Sequence, residues 1–82
     1  MLTTRVNGEV RQHSSTKDQI FDIPSQIAWY SRVGLQAGNL IATGTPAGTA
    51  AGYRGPGAWY LHAGDVVECE IERIGVLRTH IN

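Results

Sequence analysis

The chain has a single cysteine, Cys69, so no intramolecular disulfide can form. No set of Cys and His residues stands at the spacing of a structural zinc site. Charge of one sign is not in excess either: seven Lys+Arg meet seven Asp+Glu. A balanced chain lacks the basic footprint of a nucleic-acid binder, so no nucleic-acid partner is expected. Apolar runs stop after a few residues, too short for a membrane-spanning helix, so no membrane partner is expected. Met1 to Arg5 carry no apolar leader core, which makes the reducing cytoplasm the expected location. A Gly-x-Ser-x-Gly elbow is missing, and so is the Gly and Lys spacing of a phosphate loop. His13, His62 and His80 are scattered without partners at defined spacing.

What is present is 82 residues with ten glycines and 41% hydrophobic content, the composition of a folded chain. That length allows one domain at most and buries only ~60% of the unfolded surface, a marginal core without a staple or a partner. Leu2, Thr4 and Val6 alternate with Thr3 and Arg5, then Asn7-Gly8 offers a turn with φ > 0 at both positions. A hairpin over residues 2–12 follows, with Glu9 to Gln12 returning. Residues 13–19 read as a polar connector in which Asp18 caps a short turn and brings Ile20 and Phe21 inward. Asp22, Pro24 and Gly34 bracket a helix over 24–33, with Ile27, Ala28 and Tyr30 on one side and Trp29 and Arg32 on the other. The apolar run 39–43 between Gly38 and Gly44 predicts a strand buried on both faces, followed by a glycine-rich loop from Gly44 to Gly57. Residues 65–81 predict a second hairpin turning at Arg73-Ile74-Gly75. The sum is an α+β, mostly β unit of about five strands and one short helix. Neither hairpin has an evident sheet to join, and the helix has only a narrow apolar side. The chain therefore reads as a piece of something larger.

Thr43-Gly44-Thr45-Pro46-Ala47-Gly48 is the most informative stretch. Gly44 permits close approach to the backbone, Pro46 fixes the turn, and the N–H and hydroxyl donors between them suit a carboxylate or other small anion. An ordinary turn fits the same residues, and on the residues alone it is the better reading. Glu68, Glu70 and Glu72 share one strand face, but no further ligand converges on them. A solvated face with Val67, Cys69 and Ile71 turned inward accounts for the pattern. Cys69 then reads as a small buried hydrophobe. Trp29 and the Trp59-Tyr60 pair are candidate core residues, or an interface if exposed.

Taken in order, these segments resemble the fumarylacetoacetate hydrolase family. The resemblance runs through Val6-Asn7-Gly8-Glu9-Val10-Arg11-Gln12, Ile20-Phe21-Asp22-Ile23-Pro24 and Ile27-Ala28-Trp29-Tyr30-Ser31. It continues through Leu40 to Gly48, Leu61 to Glu68, and Ile74-Gly75-Val76-Leu77-Arg78. Each segment is weak alone; their order over nearly the whole chain is specific. What they match is the C-terminal part of the family's catalytic domain, so residues 1–82 are expected to form a single partial domain of its β-roll. The resemblance implies a hydrolase, decarboxylase or isomerase of small oxo acids, such as the acylpyruvase, oxaloacetate decarboxylase and hydroxyheptadienedioate isomerase types. It also implies Mg²⁺ or Mn²⁺ polarising the substrate oxygens and stabilising an enolate.

The family's metal-binding carboxylates lie upstream of the Val-Asn-Gly-Glu hairpin, so no complete metal site is expected in this chain, and Glu68, Glu70 and Glu72 are not its equivalents. No catalytic residue carries over. Thr45 does carry over, as the residue facing the substrate's carboxylate end, with Gly44 and Pro46 shaping its loop. The sequence departs from the family at Asn39, where Asp is usual, and in the extra glycines of Thr49 to Gly57. The implied function is a portion of an oxo-acid enzyme's substrate pocket, inactive alone. Its partners would be a complementing N-terminal chain or further copies of itself. The alternative is a non-catalytic β module that binds a protein through Trp29 and the aromatic loop.

Overall fold

Asn7 and Gly8 both sit at positive φ, 51° and 81°. They fold β1 (Leu2–Val6) back onto β2 (Glu9–Ser14) as antiparallel neighbours. A computed structural model describes residues 1–52 and 60–82 of the chain. The second hairpin forms as expected from β3 (Val66–Ile71) and β4 (Gly75–His80). Arg73 takes φ 67° in its turn, and Ile74 N–H donates to Ile71 O at 3.0 Å.

The hairpins supply each other's missing sheet. β1 pairs antiparallel with β3, from Leu2↔Ile71 to Val6↔Val67, giving a four-stranded sheet in the order β2-β1-β3-β4. Asn7 seals this junction. Its backbone N–H donates to Val66 O, its Oδ1 accepts from Val66 N–H and its Nδ2 donates to Asp65 Oδ1, each at 2.9 Å. Sequence pattern placed both hairpins but not the pairing of residues some sixty positions apart, which no local propensity encodes.

Alternation gives the sheet two chemically different faces. One carries Thr3, Arg5, Glu68, Glu70 and Arg78, with ion pairs from Arg5 to Glu70 at 2.8 Å and from Arg78 to Glu68 at 3.6 Å. Its carboxylates are thus half-buried against cations rather than simply solvated. The other face carries Leu2, Thr4, Val6, Val67, Cys69 and Leu77. Among the described residues Val6 is the one buried apolar side chain, at 7% exposure.

The connecting segment is less settled. Ser15 and Asp18 form a capping box around a single 3₁₀ turn, Thr16–Asp18. Ile20 and Phe21 do not turn into a core, being 93% and 69% exposed, because no described element lies over them. The helix α1 (Ile23–Tyr30) ends earlier than expected and continues as a 3₁₀ turn, Ser31–Val33, before Gly34 at φ 87°. Asp22 caps it by accepting from Ser25 N–H at 2.9 Å, while Ser31 Oγ donates back to Ile27 O and loosens the last turn.

The strand expected over 39–43 does not form. Asn39 instead closes a turn, its Oδ1 accepting from Gln36 N–H and its N–H donating to Gln36 O. Leu40 is 96% exposed. A strand needs a neighbour to take its hydrogen bonds, and among the described residues none runs beside it; four strands therefore stand where about five were expected. The turn also explains how Asn39 can stand where Asp is usual: either side chain accepts from the same N–H. Trp59 and the glycines at 55 and 57 lie outside the described residues.

The radius of gyration is 15.5 Å, against about 12 Å for a compact chain of this length. Among the described residues no helix is long and apolar enough to cross a membrane.

Candidate functional site

The turn Thr43 to Pro46 is anchored on β2 rather than on a strand of its own. Gln12 Nε2 donates to Thr45 Oγ1 at 2.8 Å and to the carbonyl oxygen of Pro46 at 3.1 Å. Gly48 forms the second anchor. It has φ +110°, and a Cβ there would collide with the backbone of Arg11. The loop can lie this close to β2 only with glycine at that position.

Gly44 is different: a Cβ there would meet nothing within 4 Å. No contact inside the chain demands glycine at 44, and the space beside its backbone is open. No described residue engages the N–H groups of Gly44 and Thr45, while Pro46 has none to offer. The three residues proposed from the sequence, Gly44, Thr45 and Pro46, all line an open cleft of about 490 Å³. Leu2, Ser15, Phe21 and Tyr30 line it as well. That volume suits a small ligand. Phe21 and Ile20, lost to the core, supply apolar lining here. A second cavity of about 500 Å³ is also lined by Thr45, with Val6, Arg11, Tyr60 and Val67.

Charge around the cleft is sparse. Asp18 lines it, but its Oδ2 already accepts from Ser14 Oγ at 3.1 Å and from Ser15 N–H at 3.3 Å. Two carboxyls elsewhere are held below the ordinary carboxylate range. Asp22 is lowered by its hydrogen bonds from Ser25, and Asp65 by those from the His62 N–H and from Asn7. Neither lines the cleft.

The donor set does not fit a metal. Among the described residues no three His, Cys, Asp or Glu side chains gather as ligands. Glu68 and Glu70 face Arg78 and Arg5.

In the sequence Gly48 stands only as the end of the Thr43–Gly48 stretch and Gln12 only as the end of the first hairpin, with no role for either. No motif links positions 33 residues apart.

The family model described as fumarylacetoacetate (FAA) hydrolase C-terminal matches residues 1–82. The chain belongs to the fumarylacetoacetate hydrolase family. Its fold is similar to that of part of a fumarylacetoacetate hydrolase from psychrophilic Exiguobacterium antarcticum, with a TM-score of 0.87 and 45% identity over 99% of this chain and 29% of that one. It is 46% identical over 81 residues to the oxaloacetate tautomerase YisK of Bacillus subtilis, covering 98% of this chain and 26% of that protein. An uncharacterised protein of Methanocaldococcus jannaschii is also 46% identical over 81 residues, 98% of this chain and 30% of its own length. The chain thus spans less than a third of the relatives it matches. The family resemblance read from the residues is confirmed, and with it the α+β, mostly β class.

Proposed function

We propose that residues 1–82 form one wall of the substrate pocket in an enzyme that hydrolyses, decarboxylates or isomerises a small oxo acid. In this reading they are the C-terminal portion of the family's catalytic domain. The observation that carries it is the Thr43–Pro46 turn, held on β2 by Gln12 and lining a cleft of suitable size. Thr45 would bind the substrate carboxylate through its hydroxyl and N–H, Gly44 would leave room for it, and Pro46 would fix the turn.

Among the described residues no Lys or Arg lines this cleft, so an oxo acid's charge needs a cation from beyond them. The Mg²⁺ or Mn²⁺ implied by the family meets that need, on carboxylates this chain does not supply. Exposed Ile20, Phe21, Val33 and Leu40 mark where a complementing N-terminal portion, or a second copy, would pack. Trp29, 64% exposed with the Arg32 guanidinium 4.6 Å from its ring centre, favours the alternative of a protein-binding module.

A chimera separates the two readings. Residues 1–82 replace the matching segment of the Bacillus relative, and turnover of oxaloacetate and acylpyruvates is measured with Mn²⁺. Turnover is expected, with Thr45→Val lowering kcat/KM ten- to hundred-fold, roughly the worth of a hydrogen bond to a charged group. A folded chimera without turnover on any of these substrates would overturn the enzymatic reading.

A further inference from the structure

The orientation of the Gln12 amide follows from its neighbours. The carbonyl oxygen of Pro46 only accepts, so the amide atom facing it at 3.1 Å is the NH₂ nitrogen. The same nitrogen lies 2.8 Å from Thr45 Oγ1. The Thr45 oxygen is therefore engaged as an acceptor by Gln12, and its own hydrogen is left to be donated elsewhere.

Gln12 reaches this position through an irregularity in the sheet. The register between β1 and β2 slips between Thr4 and Arg5, pairing Arg5↔Val10 but Thr4↔Gln12, so that Arg11 is one residue extra. A regular ladder continuing from Val6↔Glu9 would set Arg11 opposite Thr4 and Gln12 opposite Thr3. Because side chains alternate, Gln12 would then lie on the face of Arg5 and the glutamates. The bulge moves it to the face of Thr4 and Val6, over which the loop runs. Gly48 seats that loop against the carbonyl of the bulged residue, Arg11. Bulge, glutamine and glycine thus form one device directed at one hydroxyl.

We propose that Gln12 is a positioning residue that leaves the Thr45 hydroxyl to donate to a bound group, and so favours a hydrogen-bond acceptor, such as a carboxylate, as the group bound there. This rests on the pocket reading above. Its consequence is a polarity preference: with one lone pair of the hydroxyl taken by Gln12 and its hydrogen unspent, an acceptor such as a carboxylate or enolate oxygen is favoured at Thr45 over a group that can only donate, such as an ammonium.

The test is a double-mutant cycle in the active chimera, using Gln12→Glu and Thr45→Val. Glutamate keeps the size of the side chain but cannot donate when ionised; it accepts the Thr45 proton and turns the hydroxyl away from the cleft. With Thr45 present, Gln12→Glu is expected to lower kcat/KM ten- to hundred-fold, mainly by raising KM, because a carboxylate is charged in ground and transition states alike. In the Thr45→Val background the same change is expected to cost clearly less, the remainder being the lost bond to the Pro46 carbonyl oxygen, since no hydroxyl remains to reorient. Thermal melts of all four proteins check folding, and Gln12→Leu, which removes the donor without adding a charge, is run beside them with a smaller loss expected. Equal losses in both backgrounds, or Gln12→Glu within about twofold of the parent, overturn the positioning role while leaving the pocket reading intact. A folded parent chimera with no turnover overturns the pocket reading itself, and the donor role falls with it.

Discussion

The two hairpins and the segment joining them end in different conditions. In the hairpins each strand finds a neighbour inside the chain, and Asn7 locks the central pair together. In the joining segment the helix buries no residue, the apolar run at Leu40 finds no strand to pair with, and Ile20 stands open. Hydrophobicity alone does not separate the two regions. What separates them is whether backbone and side-chain partners exist within reach. Hydrogen-bonded ladders can be completed by a short chain; covering both faces of an apolar run takes further layers.

The largest expected contrast lies between two glycines of one loop. In the chimera, Gly48→Ala is expected to cost about 2–4 kcal/mol, because positive φ and a backbone collision act together. Gly44→Ala is expected to stay within about 0.5 kcal/mol in stability while lowering turnover. Denaturant melts of both proteins read the difference; equal losses would mean that the loop does not dock on the bulge.

Next in size is a pair of apolar truncations. Val6→Ala removes methyl groups from the buried centre of the sheet and is expected to cost about 1–3 kcal/mol in any context. Leu40→Ser is expected to change the isolated chain by under about 0.5 kcal/mol, but to destabilise the chimera, where the run would be covered. If Leu40→Ser is neutral in both, the joining segment packs against nothing.

Asn7→Gly keeps the backbone freedom of the turn and deletes the two side-chain bonds to Asp65 and Val66. A loss of about 1 kcal/mol is expected, since these bonds are exposed.

The smallest effect is a pH slope. The Asp65 carboxyl is held below its ordinary value of 3.8 in the folded chain, chiefly by the His62 N–H and then by Asn7. The unfolded chain therefore binds the proton first as pH falls. The stabilisation is fully present above pH 3.8 and is lost as pH drops through the lower folded value. Melts from neutral to acid pH should steepen there, and Asp65→Asn should flatten the slope. An unchanged slope would show that the junction of the hairpins does not depend on that charge.

The sequence by itself determined the local chemistry. Asn7-Gly8, Asp22 with Pro24, and Gly34 each act through neighbouring residues, and each appears where its dihedral or hydrogen-bonding preference put it. The family order of segments was legible for the same reason, because those motifs are short and contiguous. Tertiary structure alone decided that β1 would pair with β3, that Leu40 would not become a strand, and that Gln12 would hold Thr45. Each of these depends on groups far apart in sequence. The free energy of such a contact exists only once the chain has brought both ends together, and a bulge of one residue at Arg11 decides which face Gln12 presents.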